Sequence, residues 1–260
     1  MDIRPAVLTI IIPLFMLGGM LLALEIGFRV GRKRRTQRTG ETNDEIGAVV
    51  AAVLGLLGLT LAFTFSAASE RLTMRRAQIV EEANAISTAY LRLDLLAPED
   101  QQTLRALFRD YVDARIQTFQ RINDRKVFNA ARDRGARLQA EIWHRSIAAV
   151  RASPNPAAPF LLLDALNAMF DITTTRDLAT TTHAPLLITG LLVALSFMGA
   201  LLAGDTVALK GRRNPLHMGL FALAIAATVY VVIDLEYPRV GLITLHHMDR
   251  AMIQLRDLMH

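Results

Sequence analysis

The chain predicts an all-α, polytopic membrane fold, with four transmembrane helices and an extramembrane helical domain between spans two and three. Three observations predict it. Four apolar stretches, residues 5–28, 46–69, 184–203 and 216–234, each approach the roughly 20 residues that cross a hydrocarbon core. Asp, Glu, Lys and Arg are confined to the ends of these stretches. Between the two pairs lies a long polar segment rich in Ala, Leu, Arg and Glu, with no strand alternation of any length. The plan is a transmembrane hairpin over 1–69, a helical domain over 70–183, a second hairpin over 184–235 and a C-terminal tail over 236–260.

Composition agrees. The chain is 52% hydrophobic yet 20% charged over 260 residues, and the two classes are segregated along it. It has no cysteine, which excludes disulfides and thiolate chemistry. The net charge of +5 comes mainly from one short basic run and reflects topology, not a nucleic-acid partner. The expected partner is membrane lipid.

The first stretch is expected to remain as a span. A signal peptide carries its positive charge before the apolar region. Here Arg29, Arg32, Lys33, Arg34, Arg35 and Arg38 follow it. The same run sets the expected topology. It lies between spans one and two, and Lys210, Arg212 and Arg213 lie between spans three and four. The positive-inside rule puts both short loops in the cytoplasm. The termini and the helical domain then lie outside. Arg71, Arg75, Arg76, Arg239 and Arg250 sit on the opposite side and work against this orientation.

Helix two is expected to continue far past the bilayer, because no Pro or Gly follows span two until Pro98. From residue 46 to 96 it would approach 75 Å at about 1.5 Å per residue. Pro98-Glu99-Asp100 marks a new helix start, with Leu104, Leu107, Phe108, Tyr111, Ile116 and Phe119 on one face. A third helix is expected over 124–151, with Val127, Leu138, Ile142 and Ile147 inward and Trp143 beside them. Ser153-Pro154-Asn155-Pro156 breaks the chain. A fourth helix follows over 160–173. The threonine triplets at 173–175 and 180–182 suggest softer, β-branched ground before span three.

Gly47, Ala51 and Gly55 fall four apart on span two, and Ser196, Ala200 and Gly204 do so on span three. Small residues at this spacing let helices approach closely in lipid. Packing within the chain and a subunit interface both remain open. A polar or small stripe also runs down helix two through Thr60, Thr64, Ala67, Arg71, Arg75, Gln78 and Glu82, in steps of three and four. On one reading it lines a water-filled pore whose arginines attract anions. On the other, the threonines bond their own helix and the arginines pair with acids. Phe63 and Phe65 could narrow such a path and gate it by dewetting, or face lipid.

Charged groups give no support to a coupled transporter. Glu25, Asp205 and Asp234 lie at span ends, and Pro13 is the only proline well inside a span. His246, His247 and Asp249 are the only cluster suggestive of a metal, but adjacent helical histidines point about 100° apart. No metal site, cofactor or enzymatic activity is expected, since no phosphate loop, nucleophile elbow or zinc motif is present.

Several segments carry a resemblance. Thr42-Asn43-Asp44-Glu45-Ile46-Gly47 opens span two, and Phe65-Ser66-Ala67-Ala68-Ser69-Glu70 closes it. Glu81-Glu82-Ala83-Asn84-Ala85-Ile86 and Tyr90-Leu91-Arg92 follow, and the last span ends Asp234-Leu235-Glu236-Tyr237-Pro238-Arg239-Val240-Gly241. Together these resemble the bacterial family of four-span bestrophin-like proteins. The resemblance implies a multi-pass protein of the bacterial inner membrane. More remotely it points to bestrophins, which are pentameric anion channels with helix two lining the pore. It therefore implies a homo-oligomeric channel favouring inorganic anions such as chloride. The pore candidates on this chain, taken from the stripe, are Thr60, Phe63, Thr64, Ala67, Arg71, Arg75, Gln78 and Glu82. The alternative is a non-conducting membrane scaffold or envelope sensor whose helical domain binds a partner.

Overall fold

Apolar or amphipathic runs fold into helices over most of the described residues, several of them opening at Pro, Asn or Asp. The computed structural model describes residues 4–37, 43–120, 124–209, 211, 214–238 and 246–259. Its helices are α1 (Arg4–Gln37), α2 (Asn43–Leu91), α3 (Pro98–Gln120), α4 (Arg125–Ala152), α5 (Ala158–Thr181), α6 (Leu186–Leu209), α7 (Pro215–Glu236) and α8 (His246–Leu258), with a 3-10 turn at Arg92–Leu95. Among the described residues there is no strand. The helices α1, α2, α6 and α7 are long and apolar enough to cross a bilayer. The fold is an all-α, multi-pass membrane protein.

The chain divides into two compact units. The membrane unit comprises Ile3–Leu72 and His183–Ile243, and the helical unit is built mainly from Thr73–Thr182 and Thr244–His260.

In the membrane unit, small residues decide the packing. A Cβ added at Gly27 would lie 1.9 Å from the Leu201 carbonyl oxygen, and one at Gly204 would lie 2.1 Å from that of Leu24. The α1 and α6 backbones therefore touch, as small residues allow in lipid. Met16, Met20, Leu24, Leu57, Leu192 and Leu195 fill the core beside this contact, with Ala222, Ala226 and Val229 from α7. Pro13 stays inside a continuous α1, as membrane helices tolerate. Gly211 turns the chain between α6 and α7 at φ +72°, and Arg35 occupies the space that a side chain there would need. Asn214 caps α7, its side chain accepting from the Leu216 and His217 amides at 3.1 and 3.3 Å.

The helical unit packs around a core that includes Ile79, Ile86, Leu93, Leu104, Phe108, Tyr111, Ile142, Leu162 and Leu166. Asp124 caps α4 through the Lys126 and Val127 amides at 3.1 and 3.2 Å. Four details depart from the sequence expectation. The α-helix of α2 ends at Leu91 and tightens into the 3-10 turn. Val127 is exposed, one turn before the buried Ala131. The fourth helix runs on through the threonines to Thr181, because their hydroxyls fold back onto the preceding turn. Thr174 donates to the Phe170 carbonyl at 3.1 Å and Thr175 to that of Asp171 at 3.0 Å. Finally, the tail contains α8. Met252 and Leu255 are buried on it and Met259 just after it, and Arg256 donates to both Asp113 oxygens at 2.8 and 3.2 Å.

Candidate functional site

The apolar stretch of α2 is the least covered span. Only 11% of it is buried within the chain, against 28% for each of the other three. Thr60 donates to the Leu56 carbonyl at 2.8 Å, and Thr64 donates to Thr60 and Leu61 at 2.8 and 3.1 Å. Both hydroxyls spend their proton on their own helix. Phe63 is 67% exposed and Ala67 is half-buried.

The two small-residue stripes have different surroundings. Ser196, Ala200 and Gly204 are buried within the chain, Gly204 directly against α1. Gly47, Ala51 and Gly55 are exposed, and a Cβ at either glycine would meet nothing within 4 Å. The partner of the α6 stripe was missed in the sequence. Gly27 and Gly31 lie four apart on α1 and both are buried, so the same spacing rule could have found them.

Arg71 ends the membrane part of the stripe and is charge-compensated. Its Nε and Nη2 donate to Glu236 Oε2 at 2.9 and 2.7 Å. The other carboxylate oxygen, Oε1, accepts from the Ala184 amide at 2.8 Å. His183 Nδ1 lies 3.7 Å from the same oxygen, and the His183 ring packs on Tyr237 at 4.6 Å between centroids. One acid of the terminal motif thus ties α2 and the segment before α6 to the end of α7. Sequence spacing gave no sign of this pairing.

In the helical unit the stripe turns inward. Arg75 is buried, and its guanidinium donates to the Ala179 and Thr182 carbonyls at 3.2 and 2.9 Å. Gln78 is half-buried. Glu82 is fully buried between two cations, accepting from Arg115 Nε at 2.6 Å and from Arg176 Nη1. Burial alone would raise its pKa, but Arg115 and Arg176 together hold it below the usual 4.5. Tyr111, also buried, is pushed up to about 12 by desolvation. Its hydroxyl pairs with Thr173 at 2.9 Å and accepts from Gln139 at 3.0 Å.

The side chains of His246, His247 and Asp249 lie outside the described residues, as do those of Asn43–Ile46 and the loop residues Arg38, Lys210, Arg212 and Arg213. Among the described residues no group of three or more His, Asp or Glu is placed to hold a metal.

Comparison with known proteins adds to this geometry. The model of a family described as the bestrophin-like domain matches residues 15–245. Among solved structures, the chain is similar to a mutant of a bacterial bestrophin homologue from Klebsiella pneumoniae. The TM-score is 0.66 at 14% identity, with 94% of this chain and 98% of that chain covered. No curated protein matches the sequence.

Proposed function

The chain belongs to the bestrophin-like family, and on that premise we propose that copies of it assemble around an ion path lined by α2, with anions favoured. The observation that carries this reading is the uncovered surface of α2. A span buried over only 11% of its apolar stretch must meet lipid, another copy or water. Its small-residue edge at Gly47, Ala51 and Gly55 suits close approach by a neighbouring copy. Its Thr60, Phe63, Thr64 and Ala67 edge suits a narrow path, with Phe63 as a constriction. Arg71 at the end of this edge supplies the anion bias, and Glu236 tempers it. The setting is the bacterial inner membrane, with the basic loops inside and the helical unit and termini outside the cytoplasm.

Purified protein in planar bilayers under a salt gradient should give currents whose reversal potential is biased toward the anion. Silence across pH, calcium and voltage would overturn the reading. If currents appear, Glu236→Gln should strengthen the anion bias by uncovering Arg71, and Arg71→Glu should weaken or reverse it. Unchanged selectivity in both would remove Arg71 from the path. Arg75→Glu belongs to a different class, because it sets a carboxylate against two carbonyl oxygens inside the helical unit and perturbs folding first.

One observation favours a second reading, a non-conducting scaffold or envelope sensor. Arg75 and Glu82, the far end of the stripe, are buried within their own chain. Oligomeric state with pore radius discriminates the two. A closed ring around a hydrated axis fits the channel, and a dimer with a filled axis fits the scaffold.

A further inference from the structure

Two adjoining clefts of the helical unit share Arg132, Thr174 and Asp177 as lining residues. One, of about 180 Å³, is the more polar of the two and is also lined by Arg115, Thr118 and Gln139. The other, of about 230 Å³, adds Phe119, Phe128 and Leu178. Each is smaller than the roughly 300–1,000 Å³ of a drug-sized site. An occupant has a few heavy atoms in either cleft.

The donors there are not all used. Arg115 is only 3% exposed and places Nε on Glu82 and Nη1 on Asp177 at 3.1 Å, yet its buried Nη2 has no hydrogen-bond partner. Such a group carries its full desolvation cost until an acceptor arrives. Arg132 stands 59% exposed with its Nε 3.6 Å from Asp177 Oδ2, beyond hydrogen-bond reach. Its planar fork is suited to a two-oxygen acceptor. Two guanidiniums against one carboxylate leave the lining with one net positive charge, and behind it Glu82 is offset by Arg176. Gly135 keeps the polar cleft open: a Cβ there would meet nothing within 4 Å, although the residue is buried.

We propose that these adjoining clefts between α3, α4 and α5 bind a small organic carboxylate carrying a short apolar tail. The carboxylate pairs with Arg132 in the polar cleft, beside Arg115. The tail lies against Phe119, Phe128 and Leu178. The site is independent of conduction, so its failure and that of the channel reading are separate results.

The test uses the full-length protein in lipid nanodiscs, with empty nanodiscs as reference, titrated with sodium hexanoate, sodium acetate or hexylammonium chloride. Heat of binding and ligand-observed NMR are the readouts. Hexanoate should bind saturably, acetate at least tenfold more weakly, and hexylammonium not at all. Arg132→Ala should weaken hexanoate at least tenfold. So should Gly135→Leu, which fills the cleft while raising helix propensity. Both variants should keep the wild-type melting temperature and assembly. The proposal is overturned if hexanoate does not saturate, if hexylammonium binds as tightly, or if both variants bind like the wild type.

Discussion

Glu82 shows what a buried charge requires. A carboxylate at 0% exposure is tolerated only when its desolvation is offset by close partners. Arg115 and Arg176 supply them, and Arg176 also lies 3.6 Å over the Phe119 ring. Glu82→Gln would leave two buried cations without their shared anion. We expect a loss of about 3–5 kcal/mol, seen as a lower melting temperature by circular dichroism. An unchanged melting temperature would mean that the network is relaxed by water. The pH dependence has a definite sign. The folded pKa lies below 4.5, so this stabilisation is complete above that pH, declines as the pH falls below it, and is gone once the medium is more acidic than the depressed folded value. An acid titration of the wild type should therefore show a step below pH 4.5 that is missing in Glu82→Gln. Glu82 was legible as a position on a helical stripe. Its partners were not, since Arg115 and Arg176 lie 33 and 94 residues away and no local periodicity reports such distances.

At the scale of elements, α2 is the distinctive part. Its 49 residues span about 74 Å at roughly 1.5 Å per residue, and the boundary between the two units falls inside it, at Leu72 and Thr73. Thr73→Pro would remove a helical hydrogen bond and clash with the preceding turn, at a cost of about 3 kcal/mol or more. We expect the spans still to insert, since their hydrophobicity is unchanged, while conduction or assembly is altered. Wild-type currents and oligomer size in Thr73→Pro would show that continuity at this point is dispensable. The membrane helices and α3 to α5 could be read from the sequence because long apolar runs, proline starts and caps are local signals. The helix α8 was missed, although Met252, Leu255 and Met259 recur at helical spacing. It has 13 residues, and its helicity draws on burial of Met252, Leu255 and Met259 and on the long-range pair with Asp113. The threonine-rich end of α5 was misjudged for a related reason. Propensity counts β-branching against a helix, but not the hydroxyls that bond back along it.

For the molecule as a whole, the orientation in the membrane is the property most open to direct measurement. The chain contains no cysteine, so single cysteines report without interference. Gln102 is exposed on α3, and Thr36 lies in the basic run after span one. A membrane-impermeant thiol reagent on intact spheroplasts should label Gln102→Cys and spare Thr36→Cys. The reverse pattern would place the helical unit in the cytoplasm and overturn the charge argument. The balance of loop charges is the only sequence signal for orientation, and the arginines just beyond span two weaken it.

The pairing of Arg71 with Glu236 also has a meaning in time. The two residues are 165 apart in the chain. At roughly 5–20 residues per second of synthesis, Arg71 waits on the order of 10 s before its carboxylate exists. The Ala184 amide, which meets the same side chain, waits for less. A nascent chain therefore carries an uncompensated guanidinium at the end of its second span until the fourth span is finished. A ribosome that stops short of Glu236 leaves that charge bare for good, and with it a lasting chemical difference between an unfinished subunit and a complete one.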